Sequence, residues 1–184
     1  MKTVCLNYGK YVVSFRNYDS SSQLQECLRQ KPDYILLEDD DCCSGYTTIT
    51  FRNQADEELV LALRYDGNLS TALILGCQEN AVAIYYGNHI SVIDLEGRRL
   101  LFHHKLETPI FFGQFVCNRL VVFAETEIDL FNMNGDFLKR YPVRGIVDAV
   151  FMKEGTVEYT LLDDEDKLTH RIQLVNENES IQTV

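Results

Sequence analysis

The sequence predicts a mainly β fold, built of antiparallel meander sheets and accompanied by one short helix near the N-terminus. Three observations predict it. Short runs rich in Val, Ile, Phe and Tyr follow one another at hairpin distances over most of the 184 residues. Turn signals of two or three residues stand between them, such as Gly87-Asn88 and Asn134-Gly135. From residue 71 onward no apolar run keeps a 3.6-residue period for long, so helices are not expected there.

Residues 4–8 and 11–16 are β-rich and flank Gly9-Lys10, a tight hairpin signal. The polar run 17–22 leads into the helix, expected over about 22–31. Ser22 with Gln25 reads as a capping box, Leu24, Cys27 and Leu28 share a face, and Pro32 stops the helix. A helix this short needs a sheet to pack on. Residues 34–37 form an apolar strand, and residues 46–52 and 59–64 a hairpin whose first arm alternates.

Beyond residue 71 the order becomes repetitive. Runs 72–75, 81–86, 90–95 and 99–106 are followed by 111–117, 120–124, 128–133 and 137–141, then by a shorter set at 148–152, 157–162 and 168–175. The passages 89–100 and 127–138 match most closely, with Gly97 and Gly135 standing 38 residues apart. Such a spacing marks a repeated supersecondary unit. Over residues 72–175 the pattern resembles β-propeller blades in general, and no specific propeller family. The chain has no Trp, so the Trp-Asp signature of one large propeller group is absent. The repeats supply three blades, fewer than the roughly four of the smallest rings. The N-terminal hairpins with 34–37 offer a fourth sheet, interrupted by the helix. A small or incomplete propeller, a bent sheet and a sandwich all satisfy the pattern. Residues 1–184 read as one domain: hairpins and helix to residue 71, the repeated meander over 72–175, and a polar tail at 176–184 that frays.

Charge narrows the function classes. With 28 acidic against 17 basic residues the net charge is −11. Such a surface repels phosphate backbones and attracts basic partners, which argues against nucleic-acid binding. The first ten residues lack an apolar core and no stretch approaches eighteen apolar residues, so neither a signal peptide nor a membrane span is expected. Cys5, Cys77 and Cys117 lie in or beside apolar runs. The six cysteines are accordingly read as reduced thiols in a cytoplasmic protein.

Two acidic stretches are the candidate partner-binding residues: Glu38, Asp39, Asp40 and Asp41 after the apolar strand, and Asp163, Asp164, Glu165 and Asp166 in a late turn. Neither has a metal motif. Cys42 and Cys43 form no Cys-x-x-Cys pair, and the later stretch lacks the glycine and distal glutamate of a calcium loop. His103 and His104 are adjacent in a strand and face opposite sides. No nucleophile elbow, P-loop or dinucleotide fingerprint occurs, so no catalytic residue, metal or cofactor is expected.

These readings converge on a non-enzymatic acidic binding module that captures a basic protein. An immunity protein neutralising a nuclease toxin is the most concrete form, because a nuclease must be basic to hold its substrate. A structural or assembly subunit on a propeller-like scaffold is the alternative. A dispersed enzyme or metal site is the third.

Overall fold

The computed structural model describes residues 3–38, 43–66, 74–78, 80–153, 155–162, 169–174 and 181–183. Their strands make four sheets, three of them four-stranded antiparallel meanders. The first sheet has five strands: β1 (Thr3–Tyr8), β2 (Tyr11–Tyr18), β3 (Ile35–Glu38), β4 (Gly45–Arg52) and β5 (Glu58–Tyr65), ordered β1-β2-β4-β5-β3. Helix α1 (Ser21–Arg29) carries the chain back along the sheet after β2, so β3 runs parallel to β5 while all other pairs are antiparallel.

The three meanders are β6 (Ile74–Gln78), β7 (Ala81–Tyr86), β8 (His89–Asp94) and β9 (Arg99–Lys105); β10 (Ile110–Val116), β11 (Arg119–Ala124), β12 (Glu127–Asn132) and β13 (Phe137–Pro142); and β14 (Val147–Lys153), β15 (Thr156–Leu161), β16 (Thr169–Gln173) and β17 (Ile181–Thr183). The repeat seen in the sequence is therefore a repeat of sheets, and the N-terminal hairpins do form a fourth. Ile181–Thr183, expected to fray, pairs instead with β16 through Ile172 and Ile181. The turns follow φ > 0 chemistry. Gly9 and Gly87 adopt φ of 55° and 57°. Cys117 and Asn118 sit at 49° and 59° in the β10–β11 turn, so Cys117 is an exposed thiol rather than a core residue.

The helix begins one residue before its expected start and its cap lies two residues earlier than expected. Ser20 is the cap: the Gln23 amide donates to Ser20 Oγ at 3.3 Å, and the Asp19 amide donates to Gln23 Oε1 at 3.1 Å. The cap thus lies at Ser20, with the Gln23 side chain reaching back one residue further to the Asp19 amide, because Ser21 and Ser22 already have helical backbone. Leu24 and Leu28 pack on Tyr18, Val60 and Ala62 of the first sheet's outer face.

The sheets stack in sequence. Val13, Ile49 and Leu61 of the first meet Val82, Ile84 and Tyr86 of the second. Ala83, Tyr85 and Val92, from the other face of the second, meet Phe115, Leu120 and Val122 of the third. Val121, Phe123 and Leu130 then meet Val157, Tyr159 and Ile172 of the fourth. The middle sheets bury both faces, which is why β7 and β11 read as unbroken apolar runs. Among the described residues no core cluster joins the first and fourth sheets.

Candidate functional site

The strand directions give the stack two rims. The upper rim holds the β7–β8 and β11–β12 connections, the end of β15 and the start of β16, and the crossovers from β9 to β10 and from β13 to β14. There the Ile110 amide bonds the Gly87 carbonyl at 2.7 Å, which ties the third sheet to the second, and the Leu162 amide bonds the Ile146 carbonyl at 2.7 Å, which extends the β14–β15 ladder. Helix α1 descends from this rim and β3 climbs back to it.

Both acidic stretches attach here. Glu38 is the last residue of β3, its backbone in register with Arg64. Asp39, Asp40 and Asp41 lie outside the described residues, as do Asp163, Asp164, Glu165 and Asp166. The residues that flank them, Glu38 with Ser44 and Leu162 with Thr169, lie at the upper rim. Ser44 is fixed there by its amide to the Tyr65 carbonyl at 3.0 Å and its hydroxyl to Asp66 at 3.3 Å.

Between them the rim carries two polar clusters that sequence reasoning did not assemble. In the third sheet, Glu127 and Asp129 point the same way from β12 and face Arg140 of β13. Arg140 grips Asp129 with both ends of its fork, Nε to Oδ1 at 2.9 Å and Nη2 to Oδ2 at 3.0 Å. The same Nε lies 2.8 Å from Glu127 Oε2, and Nη1 donates to Glu107 at 3.3 Å. Asp129 is fully buried and the Glu127 side chain is 5% exposed, whereas Glu107 is 81% exposed. Three carboxylates thus share one guanidinium. Burial, and next the Asp129 carboxylate, raises the Glu127 pKa above its ordinary value. Donation of its hydrogen bonds to the Asp129 carboxylate raises that of Arg140.

The second cluster lies where the second sheet meets the first. His89 and Ser91 of β8 stand opposite Lys105 and His103 of β9. Ser91 Oγ lies 2.9 Å from His103 Nδ1, and His103 Nε2 lies 3.2 Å from His89 Nδ1. The His89 ring stacks on Tyr86 at 5.4 Å, and Tyr86 meets Tyr65 across the sheets at 6.0 Å. Tyr65 contacts Thr47 at 3.2 Å, and Thr47 donates to Asn17 at 2.8 Å. His104 points to the other face, edge-on to Phe131, as alternation requires. The Ser–His contact is not a nucleophile arrangement, because Ser91 is fully buried and no substrate atom can reach it. Among the described residues no group of three His, Cys, Asp or Glu side chains is placed to hold a metal ion.

The sequence signal for both clusters was present but local. Glu127-Ile-Asp129 and His89-Ile-Ser91 occupy matching positions of the repeat, a polar–apolar–polar alternation on otherwise buried strands. Their partners come from the next strand and depended on register.

No protein-family profile matches the chain, and no curated protein matches its sequence. Its fold is similar to several solved structures. Apo AztD from Citrobacter koseri aligns with a TM-score of 0.56 at 11% identity, over 99% of this chain and 58% of that one. HIRA(644-1017) aligns at 0.55 and 10% identity, over 99% and 52%. BamB from Moraxella catarrhalis aligns at 0.51 and 9% identity, over 85% and 39%. The chain therefore spans between about two fifths and three fifths of these proteins' lengths. They are β-propeller proteins. At such identities the likeness concerns the fold alone: blade-like meander sheets stacked in the propeller manner, under a sequence that matches no family.

Proposed function

We propose that this chain is a non-enzymatic, cytoplasmic binding module that presents acidic groups from the upper rim of a propeller-type scaffold to a basic protein. The observation that supports the reading most is convergence. Both acidic stretches attach to the rim that also carries Glu107, Glu127 and Asp129 around a single cation, Arg140. A rim with excess carboxylates on rigid strands steers a basic partner and matches a surface shaped to hold phosphates. The partner that fits this chemistry best is the nucleic-acid-binding face of a nuclease, which makes neutralisation of a nuclease toxin the specific form of the proposal. Among the described residues no helix is long and apolar enough to cross a membrane.

A second reading, an assembly subunit, draws on the outer strands. Leu100 of β9 and Phe137 and Leu138 of β13 are 39%, 49% and 44% exposed. Salt separates the two. A partner recovered from the native cell by the acidic rim associates more slowly and binds more weakly as ionic strength rises, and an apolar assembly does not. Replacing Asp39, Asp40, Asp164 and Asp166 together by Asn is expected to weaken the first kind of complex at least about tenfold at low salt. Unchanged affinity would reject the acidic-rim reading.

A further inference from the structure

At the opposite, lower rim the first and second sheets part to form a cleft of about 390 Å³. Its floor is apolar, made by Tyr11, Phe51, Leu59 and Leu95. Its lips are two turns, one following β4 and one joining β8 to β9. Each lip is held by an Asx side chain. Asn53 Oδ1 accepts the Ala55 and Glu57 amides at 2.9 and 3.0 Å, and Asp94 Oδ1 accepts the Gly97 amide at 2.9 Å. Each also holds a non-glycine residue in the left-handed region, Asp56 at φ 63° and Arg98 at φ 51°. Strained backbone of this kind concentrates at ligand clamps and turns.

Of the five charged residues lining the cleft, three are ion-paired. Lys10 pairs with Glu96, and Glu58 with Arg52 and Lys31. Two are not. Arg98 reaches across to the first sheet and donates one N–H to the Glu58 carbonyl at 2.6 Å, which leaves four donors of its fork without a protein carboxylate. Glu57 accepts from the Asn53 amide group at 2.8 Å and has no cationic partner. One guanidinium and one carboxylate thus face the same cleft from opposite lips, unpaired with each other, over an apolar floor.

We propose that this cleft binds a free α-amino acid with an apolar side chain, as its zwitterion. The ligand carboxylate takes the open donors of Arg98, its ammonium takes Glu57, and its side chain lies against Tyr11, Phe51, Leu59 and Leu95. The volume sits at the low end of small-molecule sites, roughly 300–1,000 Å³, which suits one residue rather than a peptide. A ligand with one charge meets only one pole and forgoes the charge-assisted contact at the other.

The test is calorimetric titration of the full chain with L-leucine and L-phenylalanine, beside their N-acetyl and carboxamide derivatives. At least one free amino acid is expected to bind, and each capped derivative at least about tenfold more weakly. Arg98→Gln and Glu57→Gln are expected to lose a similar factor. Thermal melting of both variants checks that the lips stay folded, and Glu57→Gln keeps its Asn53 bond. Absence of heat with both amino acids up to their solubility overturns the proposal. So does equal binding of free and capped forms, or wild-type binding by Glu57→Gln.

Discussion

Removing the Arg140 guanidinium tests the upper-rim electrostatics directly. Arg140→Met keeps the aliphatic stem, which lies beside Phe137 with the guanidinium carbon 5.8 Å from the ring centre. It strips Asp129 of both Arg140 bonds and Glu127 of its cation. Breaking a buried pair by deleting one partner costs about 3–5 kcal/mol, because a charge stays buried without compensation. Asp129 is fully buried, but the Arg140 side chain is 35% exposed, so water takes up part of the lost solvation. The expected loss is therefore about 2–3 kcal/mol at pH 7. For a chain of this size that is a fall in Tm of roughly 5–10 °C. Urea unfolding measures it, and a double-mutant cycle with Asp129→Asn assigns it. In the Arg140→Met background Asp129→Asn removes the stranded charge and is expected to restore at least about 1 kcal/mol. Alone, with Arg140 present, it destabilises. If Arg140→Met unfolds within about 0.5 kcal/mol of the wild type, or Asp129→Asn acts alike in both backgrounds, Arg140 does not neutralise a buried charge.

Two glutamates are expected to respond to acid in opposite directions. Glu58 is held below its ordinary 4.5 first by the Lys31 hydrogen bond and then by Arg52, so its contribution is present above 4.5 and lost as pH falls through the lower folded value. Glu127 is raised above 4.5 by burial, so its favourable contribution is present below 4.5 and lost as pH rises through the higher folded value. In urea titrations between pH 3 and pH 7, Glu58→Gln should therefore be increasingly destabilising, relative to wild type, toward neutral pH. Glu127→Gln should become relatively less destabilising over the same range, and parallel pH profiles for the two variants refute the assignment. Gly135→Ala and Gly97→Ala probe the repeated turns. Gly135 combines φ 88° with a position where a Cβ would stand 2.1 Å from the Phe102 ring, whereas the Cβ at Gly97 meets the Asp94 carboxylate at 2.3 Å. Phe102 is a partly buried ring held by stacking on the buried Phe131, and Asp94 can swing toward solvent. Gly135→Ala is expected to cost about 2–4 kcal/mol and Gly97→Ala about 1 or less; equal midpoint shifts in denaturant contradict that order.

The strands were legible because their periodicity and turn chemistry are local. Residues 81–86, 120–124 and 137–141 announce themselves through Val, Ile, Phe and Tyr between short turns, and the 38-residue repeat of Gly97 and Gly135 carries over into matching β-hairpins. The helix start was misplaced because three serines, Ser20, Ser21 and Ser22, compete for one cap, and only the backbone at Ser20 is extended. The last strand was missed because residues 176–183 are mostly polar and the pairing of residues 181–183 with β16 is set by backbone register. The polar clusters were illegible for a different reason. Whether Asp129 meets Arg140 or Lys139 depends on a bulge between Leu130 and Phe131 that shifts the register of β13. Cys117 was misread because a Cys-Asn turn with φ > 0 at both positions has no sequence signature.

The stack also explains where this chain can place charge. Sheets that bury both faces leave almost no side-chain position on β7, β8, β11 or β12 open to solvent, so polar residues are confined to the rims and the outer strands. Where a charge is placed on an inner strand, as at Glu127 and Asp129, it must be met by the next strand of the same sheet, and Arg140 meets it. Stack ends obey a different rule, because each has only one neighbouring sheet. The first sheet covers its outer face with Leu24 and Leu28 of α1. The fourth instead makes its outer face polar, with Glu158 and Arg171 paired at 2.6 Å across β15 and β16 beside an exposed Phe151. Terminal units of stacked-sheet arrays are expected to differ from inner ones in this way. The net charge of −11 is thus compatible with a tightly packed interior because the architecture directs acidity to edges, where a partner or a small ligand can meet it.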